Sequence, residues 1–257
     1  IAIEVDKHTG EITSIQADGN EILRTPVHFN ITRYTDNDRD LLGHWIDRCH
    51  LPSCKPHIFS CEKSENHYRF EGVLAANCLM PAAEFTLEYT VVGNQLIMEI
   101  AYQLADYVEN FPRFGIEFGV ERAHCNFSYV GFGPMESYAD KHTACDYGYY
   151  VSSAEENYDR KYIRPQESGS HYACTYLAVK ELFRVTAEKP FSCSVNPFTT
   201  TQLCNALHSF ELEENDFVNV CIDLAMRGVG SHSCGPDLPD EYEIPKEFKN
   251  TFKFTFW

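Results

Sequence analysis

Residues 83–104 read AEFTLEYTVVGNQLIMEIAYQL. A Gly93-Asn94 pair, which suits a two-residue hairpin turn, stands at the centre of this stretch. On both sides of the pair every second residue is apolar, namely Phe85, Leu87, Tyr89, Leu96, Met98 and Ile100. A period of two places those side chains on one face of a pleated strand. The stretch therefore predicts an antiparallel hairpin over 83–92 and 95–104 with one buried face.

Similar short patterns occupy most of the chain. Residues 1–23 alternate as a strand–turn–strand–turn–strand meander, and further strands are predicted at 67–73, 111–118, 127–130, 172–179, 182–187, 217–226 and 252–257. Helices are indicated at two places, a turn within 41–50 and a segment over 199–208 that Thr199 or Thr200 could cap. The sum predicts an all-β fold, a large antiparallel β-sandwich with one or two short helices, and one domain over 1–257.

Composition narrows the function classes. The net charge of -17 disfavours a nucleic-acid partner, because phosphate binding needs a basic surface. No apolar run is long enough for a membrane span, and no signal peptide opens the chain. The chain begins as a strand without a methionine, which favours a piece excised from a longer polypeptide. The 11 cysteines form no C-x-x-C pair and fit a reducing compartment, so a cytoplasmic location is predicted.

Two clusters offer metal-binding chemistry. Cys49, His50, Cys54, His57 and Cys61 mix thiols and imidazoles, but their irregular spacing favours free thiols in a loop and a strand. Residues 35–40, Thr-Asp-Asn-Asp-Arg-Asp, lack the glycine and distal glutamate of an EF-hand. They favour a solvated or hydrogen-bonded loop, and the sequence predicts no metal site.

Two irregular stretches could carry function. Residues 228–236, Gly-Val-Gly-Ser-His-Ser-Cys-Gly-Pro, can extend neither a strand nor a helix and form either a tight turn or a loop that a ligand approaches closely. Residues 147–162 hold five tyrosines with acidic neighbours. Packing against a sheet and stacking on sugars both remain open for these tyrosines.

Several loops carry distinctive motifs, among them residues 131–140, GFGPMESYAD, and residues 162–169, YIRPQESG. They resemble G-x-G-P-x-E-N-Y-x-D and Y-V-R-P-Q-E-N-G of the C-terminal, small-chain domain of glycoside hydrolase family two β-galactosidases. Residues 111–115, FPRFG, resemble L-P-R-[IF]-G, and residues 228–236 resemble G-x-G-S-x-S-C-G-P. The matches keep the family's order and cover most of the chain.

The chain departs from the family pattern in three places. The family's W-R-A-P-T-D-N-D appears as residues 31–38, ITRYTDND, so only the acidic half is kept. Ser137 and Ser168 stand where asparagine is usual. Cys234 stands near the position of a sugar-site tryptophan in other members, which weakens any stacking role.

The resemblance implies a galactose-mutarotase-like supersandwich and a site completed by another domain. It implies that His232, Ser233 and Cys234 line the substrate pocket and that Asp36, Asn37 and Asp38 form a secondary edge. The remaining motif residues are expected to be structural: Gly131, Gly133, Pro134, Glu136, Tyr138, Asp140, Arg164, Pro165, Glu167 and Gly169. The catalytic glutamates of such enzymes lie on a TIM barrel, so no catalytic residue is expected in this chain.

The same resemblance implies the partners: the barrel domain, a galactoside substrate and, in some members, further copies of the enzyme. No cofactor is expected in this chain, because the Mg and Na that such enzymes often use are bound mainly elsewhere. Two other functions stay open. A stand-alone mutarotase-like enzyme would use His142, His171 and His232 with Glu136 or Glu167 as acid and base. A non-catalytic carbohydrate-binding or assembly module would need neither.

Overall fold

The fold, described from a computed structural model over residues 1–230 and 235–257, is built from antiparallel strands. The strands are β1 Ala2–Val5, β2 Ile12–Ala17, β3 Asn20–Glu21, β4 His28–Asn30, β5 Lys55–Lys63, β6 His67–Ala75, β7 Ala83–Val92, β8 Gln95–Leu104, β9 Arg113–Glu121, β10 Asn126–Gly133, β11 Asp146–Ser153, β12 His171–Val179, β13 Phe183–Asn196, β14 Phe217–Met226 and β15 Glu247–Phe256. The prediction of a large antiparallel all-β fold is confirmed.

Helical segments are short. The α-helices are α1 Ala154–Asn157 and α2 Thr200–Asn205, a π-helical turn covers Gly43–Arg48, and 3₁₀ turns cover Asp36–Leu41, Leu51–Ser53, Arg122–His124, Ser209–Glu211 and Asp240–Tyr242. Within the described ranges, no helix combines the length and apolar character needed to cross a membrane.

The hairpin predicted from residues 83–104 is formed by β7 and β8 with the predicted bounds. Leu87 lies opposite Ile100, and Tyr89 lies opposite Met98. All four side chains are buried. The apolar alternation thus sets the register of the hairpin, since a slip of one residue would turn this face to solvent.

Two sheets make up the fold. β1, β2 and β3 form a small meander, as predicted for residues 1–23. The large sheet runs in the order β11-β10-β12-β13-β15-β8-β7-β6-β5, while β14 pairs with β13 and β9, and β9 pairs with β4. Every strand pairing is antiparallel.

Strand β13 divides the large sheet into two layers. Its first half, 183–187, pairs with β15, and its second half, 192–196, pairs with β14. Between the halves, the buried Asn250 side chain accepts from the Lys189 N–H at 3.0 Å and donates to the Lys189 carbonyl at 3.1 Å. Aromatic rings fill the space between the layers, and Phe118 of β9 packs on Phe183 and Phe254 at centroid distances of 5.8 and 6.5 Å.

The helix predictions hold with altered bounds. Residues 41–50 contain the π-helical turn, and its Trp45 is buried. Thr199 caps α2 in a capping box with Gln202, but α2 ends at Asn205, before the predicted 208. Leu207 is consequently exposed and does not share an apolar helical face with Leu203.

Candidate functional site

Four segments with family-motif residues, 31–38, 131–140, 162–169 and 228–230, contribute to one cavity of about 480 Å³. They come from chain positions as distant as 35 and 230. The described lining residues are Thr35, Asp36, Asn37, Tyr138, Asp140, Lys141, Tyr162, Gln166, Glu167, Val229 and Gly230. A wider cleft of about 1000 Å³ adjoins it and shares Asp140, Lys141 and Tyr162.

The backbone of residues 228–230 is held by side chains on two sides. Asp140 accepts hydrogen bonds from the N–H groups of Val229 at 2.9 Å and Gly230 at 2.7 Å. Asn37 donates to the Val229 carbonyl at 2.9 Å, and Arg33 donates to the Gly228 carbonyl at 2.7 Å. A Cβ atom on Gly228 would lie 2.6 Å from the Asp140 carboxyl carbon, so the close approach requires glycine.

A buried ion pair supports the Asp36–Asp38 segment. Arg33 Nε lies 2.8 Å from Asp38 Oδ2, and both side chains are fully buried. Arg227, also fully buried, donates to both carboxylate oxygens of Glu243 at 2.8 Å. Asp36 and Asn37 line the cavity, whereas Asp38 faces the arginines.

Glu136 joins two of the motif segments. Its Oε1 accepts from the Tyr162 hydroxyl at 2.8 Å and from Lys141 Nζ at 2.5 Å, and its Oε2 accepts from the Gly169 N–H at 3.0 Å. Gly169 has a φ of +72°, a conformation that side-chain-bearing residues rarely adopt. Both carboxylate oxygens of Glu136 are thus occupied in fixing the loop over 162–169.

Glu167 belongs to a buried charge cluster with Arg113 and Asp223. Arg113 Nη1 lies 2.7 Å from Glu167 Oε2, while its Nε and Nη2 bind the two Asp223 oxygens at 2.8 and 2.6 Å. Burial raises the pKa of Glu167 and of Asp223, and the neighbouring Arg113 guanidinium only partly offsets that effect. Glu167 Oε1 is buried and has no hydrogen-bond partner among the described residues.

The histidines occupy different environments. His171 is buried and stacked on Tyr129 at 3.8 Å, and burial lowers its pKa to about 4. His142 lines the wider cleft together with Glu136, and its Nδ1 lies 3.0 Å from the Tyr138 carbonyl. His232, Ser233 and Cys234, the predicted pocket wall, lie outside the described residues.

The motif glycines and prolines have structural roles in backbone packing and conformation. Gly131 and Gly133 stand in β10 where a Cβ would meet Cys174 Sγ at 2.6 Å and the Tyr129 hydroxyl at 2.2 Å. The peptide bond between Gly133 and Pro134 is cis. Arg164 lies over the Tyr34 ring at 3.5 Å, and Pro165 is buried beside it.

Sequence reasoning did not single out the ion pairs beneath the cavity. Arg227 and Asp223 lie outside every segment that was compared with a family motif. Arg33 lies inside one of them, residues 31–38, and stands five residues before the Asp38 it pairs with. In the described part of the chain, no group of three or more His, Cys, Asp or Glu side chains is arranged to hold a metal ion.

The fold belongs to the galactose-mutarotase-like class of β-supersandwiches. A candidate aldose 1-epimerase from Escherichia coli K12 superposes with a TM-score of 0.50 at 8% identity over 99% of this chain and 95% of that one. The likeness is one of fold alone. At the sequence level, the β-galactosidase small-chain family model matches residues 1–256, and the chain belongs to that family.

Two relatives show how similar the chain is to known β-galactosidases and how much of their length it covers. The β-galactosidase of Actinobacillus pleuropneumoniae is 35% identical over 262 residues, which cover 98% of this chain and 26% of that protein. The β-galactosidase of Staphylococcus xylosus is 29% identical over 265 residues, 96% of this chain and 25% of that protein. The chain therefore spans about a quarter of the length of these relatives.

Proposed function

We propose that this chain is the small-chain domain of a β-galactosidase that hydrolyses terminal β-D-galactosides, and that it supplies one wall of the active site. The catalytic glutamates would lie on a TIM barrel outside this chain. The observation that carries the proposal is the convergence at one cavity of residues from four segments, 31–38, 131–140, 162–169 and 228–230. Buried charges or backbone hydrogen bonds hold these segments in place.

The carboxylates around the cavity support a structural role. A retaining glycosidase needs an acid/base and a nucleophilic carboxylate about 5 Å apart, both able to reach the sugar. Here Asp140 accepts two backbone N–H groups, Glu136 accepts four donors, and Glu167 is tied to Arg113. Carboxylates bound in this way hold loops in place, as expected for residues that form the wall of a pocket.

The positions of the histidines do not favour the alternative of a stand-alone mutarotase-like enzyme. His171, one of its candidate residues, is buried under Tyr129 with a pKa of about 4 and binds Asn157 Oδ1 at 2.9 Å. Such a ring has no route to a sugar in the cavity. His142 and Glu136 share the wider cleft, but Glu136 is occupied by Tyr162, Lys141 and Gly169.

A chimera tests the proposal. This chain replaces the segment that it matches in the A. pleuropneumoniae β-galactosidase, and hydrolysis of o-nitrophenyl β-D-galactoside is compared with that of a deletion lacking the segment. We expect the chimera to hydrolyse the substrate and the deletion to be inactive. A folded, correctly assembled chimera that remained as inactive as the deletion would count against the proposal.

A further inference from the structure

Another cavity, of about 400 Å³, is lined in part by Arg33, Tyr34 and Arg164. Its walls include a set of apolar side chains: Ile31, Leu42, Trp45, Leu51 and Pro112. Trp45 is buried and fixed by a 2.8 Å hydrogen bond from its Nε1 to Asn110 Oδ1. The volume is within the range of small-molecule sites.

One cation that lines this cavity, Arg164, has no ion-pair partner among the described residues. Nine of the eleven arginines of this acidic chain form ion pairs, and the two exceptions within the described ranges are Arg164 and Arg184. Arg184 is exposed, whereas Arg164 is half-buried and lines the cavity. The Arg164 Nε is buried with no hydrogen-bond partner among the described residues. A buried donor left without an acceptor is unfavourable, so this guanidinium is suited to an acceptor from outside.

The setting of Arg164 favours a carboxylate. The guanidinium carbon lies 3.5 Å from the centroid of the Tyr34 ring, which covers one face and leaves the in-plane N–H groups for an acceptor that approaches edge-on. Two parallel N–H donors match the two oxygens of a carboxylate.

Glu117 limits the charge that the cavity can accept. It lines the same cavity. Burial opposes its ionisation, but the nearby His28 and the hydrogen bond from the Thr200 N–H at 2.8 Å lower its pKa overall, so it is an anion at neutral pH. A second, doubly charged anion such as phosphate would be repelled, whereas a monoanion on an apolar group suits both Arg164 and the apolar wall. We infer that this cavity binds a monocarboxylate carried on an apolar group.

Fluorescence titration tests the inference. The chain has two tryptophans, so a Trp257→Phe background leaves Trp45 in the cavity wall as the reporter. Hexanoate is the probe, and neutral hexanamide is its matched control. We expect saturable hexanoate binding, and Arg164→Gln should weaken it by about tenfold or more, the usual effect of losing a charge-assisted hydrogen bond. The affinity of Arg164→Lys for hexanoate should lie between those of the parent and of Arg164→Gln, because lysine keeps the charge and loses the paired donors.

The control variant is Arg184→Gln, which removes the other arginine that forms no ion pair within the described ranges and should leave hexanoate binding unchanged. Arg164→Gln loses the contact with the Tyr34 ring, so its urea midpoint should fall slightly, while its circular dichroism should match that of the parent and so exclude unfolding as a cause. Absence of saturation, equal binding of hexanamide, or full binding by Arg164→Gln would overturn the inference.

The chimera identifies the source of the carboxylate. If an acidic side chain from the rest of the enzyme fills the cavity, hexanoate will bind the isolated chain and not the chimera. If the natural ligand is a free acid, both will bind it. This inference does not depend on the proposed function, since the first titration uses the isolated chain alone.

Discussion

At the scale of single residues, the carboxylates beside the cavity act mainly as acceptors for the backbone and as partners of buried arginines. The sequence could predict that residues 228–230 form a loop needing glycine, because glycine permits close backbone approach. It could not predict that the approaching group is Asp140, about ninety residues earlier. That contact depends on the arrangement of whole strands, which local patterns do not encode.

Replacing Asp140 by asparagine should destabilise the fold by about 1–3 kcal/mol. The amide of asparagine would place an NH₂ donor against one of the two N–H groups that the carboxylate now accepts. Urea unfolding of Asp140→Asn measures the change. Asp146→Asn is the control, since Asp146 is exposed and should show no comparable loss. Equal midpoints for the two variants would contradict the role given to Asp140.

Gly228→Ala should also lower the free energy of unfolding by about 1–3 kcal/mol, because the added Cβ would be forced against a packed neighbour. That Cβ would lie 2.6 Å from the Asp140 carboxyl carbon. Gly235→Ala is the matched control, since a Cβ there meets nothing within 4 Å. Thermal unfolding of both variants checks the difference, and a Gly228→Ala protein as stable as the parent would show that the loop is not held tightly.

His28 should make stability depend on pH. Burial opposes its charge, but the Glu117 carboxylate, whose Oε2 lies 3.7 Å from the His28 Nε2, raises its pKa above the ordinary 6.5. A histidine whose pKa is raised in the folded state stabilises the fold at pH values below its pKa in the unfolded state. This stabilisation is lost as the pH rises through the pKa of the folded state. The parent should therefore exceed His28→Gln in stability by more below pH 6.5 than at pH 9. A difference that is constant across this range in urea titrations would refute the pairing.

At the scale of elements, strand β13 shows where the sequence stops being informative. The pattern predicted a strand over 182–187, but β13 continues to Asn196. Exposed residues 188–190, which include a proline, interrupt the alternation, and the second half is a buried run without a period of two. The β7–β8 hairpin could be predicted with its bounds because one face is apolar and the other polar. In β13 the exposed residues 188–190 separate the predicted segment from the buried second half, so the sequence pattern ends before the strand does.

The division of the sheet at β13 should depend on Asn250. Asn250→Ala removes the side chain that serves both backbone groups of Lys189, and the expected loss is about 1–3 kcal/mol. Urea unfolding measures it, with Asn126→Ala as the control, because Asn126 is exposed on β10. An unchanged urea midpoint for Asn250→Ala would show that the division of the sheet at β13 does not depend on the hydrogen bonds of Asn250.

At the scale of the whole molecule, the fold class could be predicted from strand alternation, and the family from motifs in a fixed order. The cavity could be predicted only in part. Asp36 and Asn37 were chosen and do line it, while Asp38 belongs to the ion pair beneath it. Arg113 pairs with Glu167 and Asp223, which lie 54 and 110 residues later, so no local pattern predicts these ion pairs. The central claim is that this framework builds a pocket wall and leaves the chemistry to residues outside the chain.

The most direct test is the hydrolysis rate of o-nitrophenyl β-D-galactoside by the purified, folded chain alone. We expect no turnover above a buffer blank, and no change on Glu136→Gln, because Glu136 holds the Gly169 loop. Turnover by the isolated chain that is lost in Glu136→Gln, with its fold intact, would contradict the claim and assign catalysis to this chain.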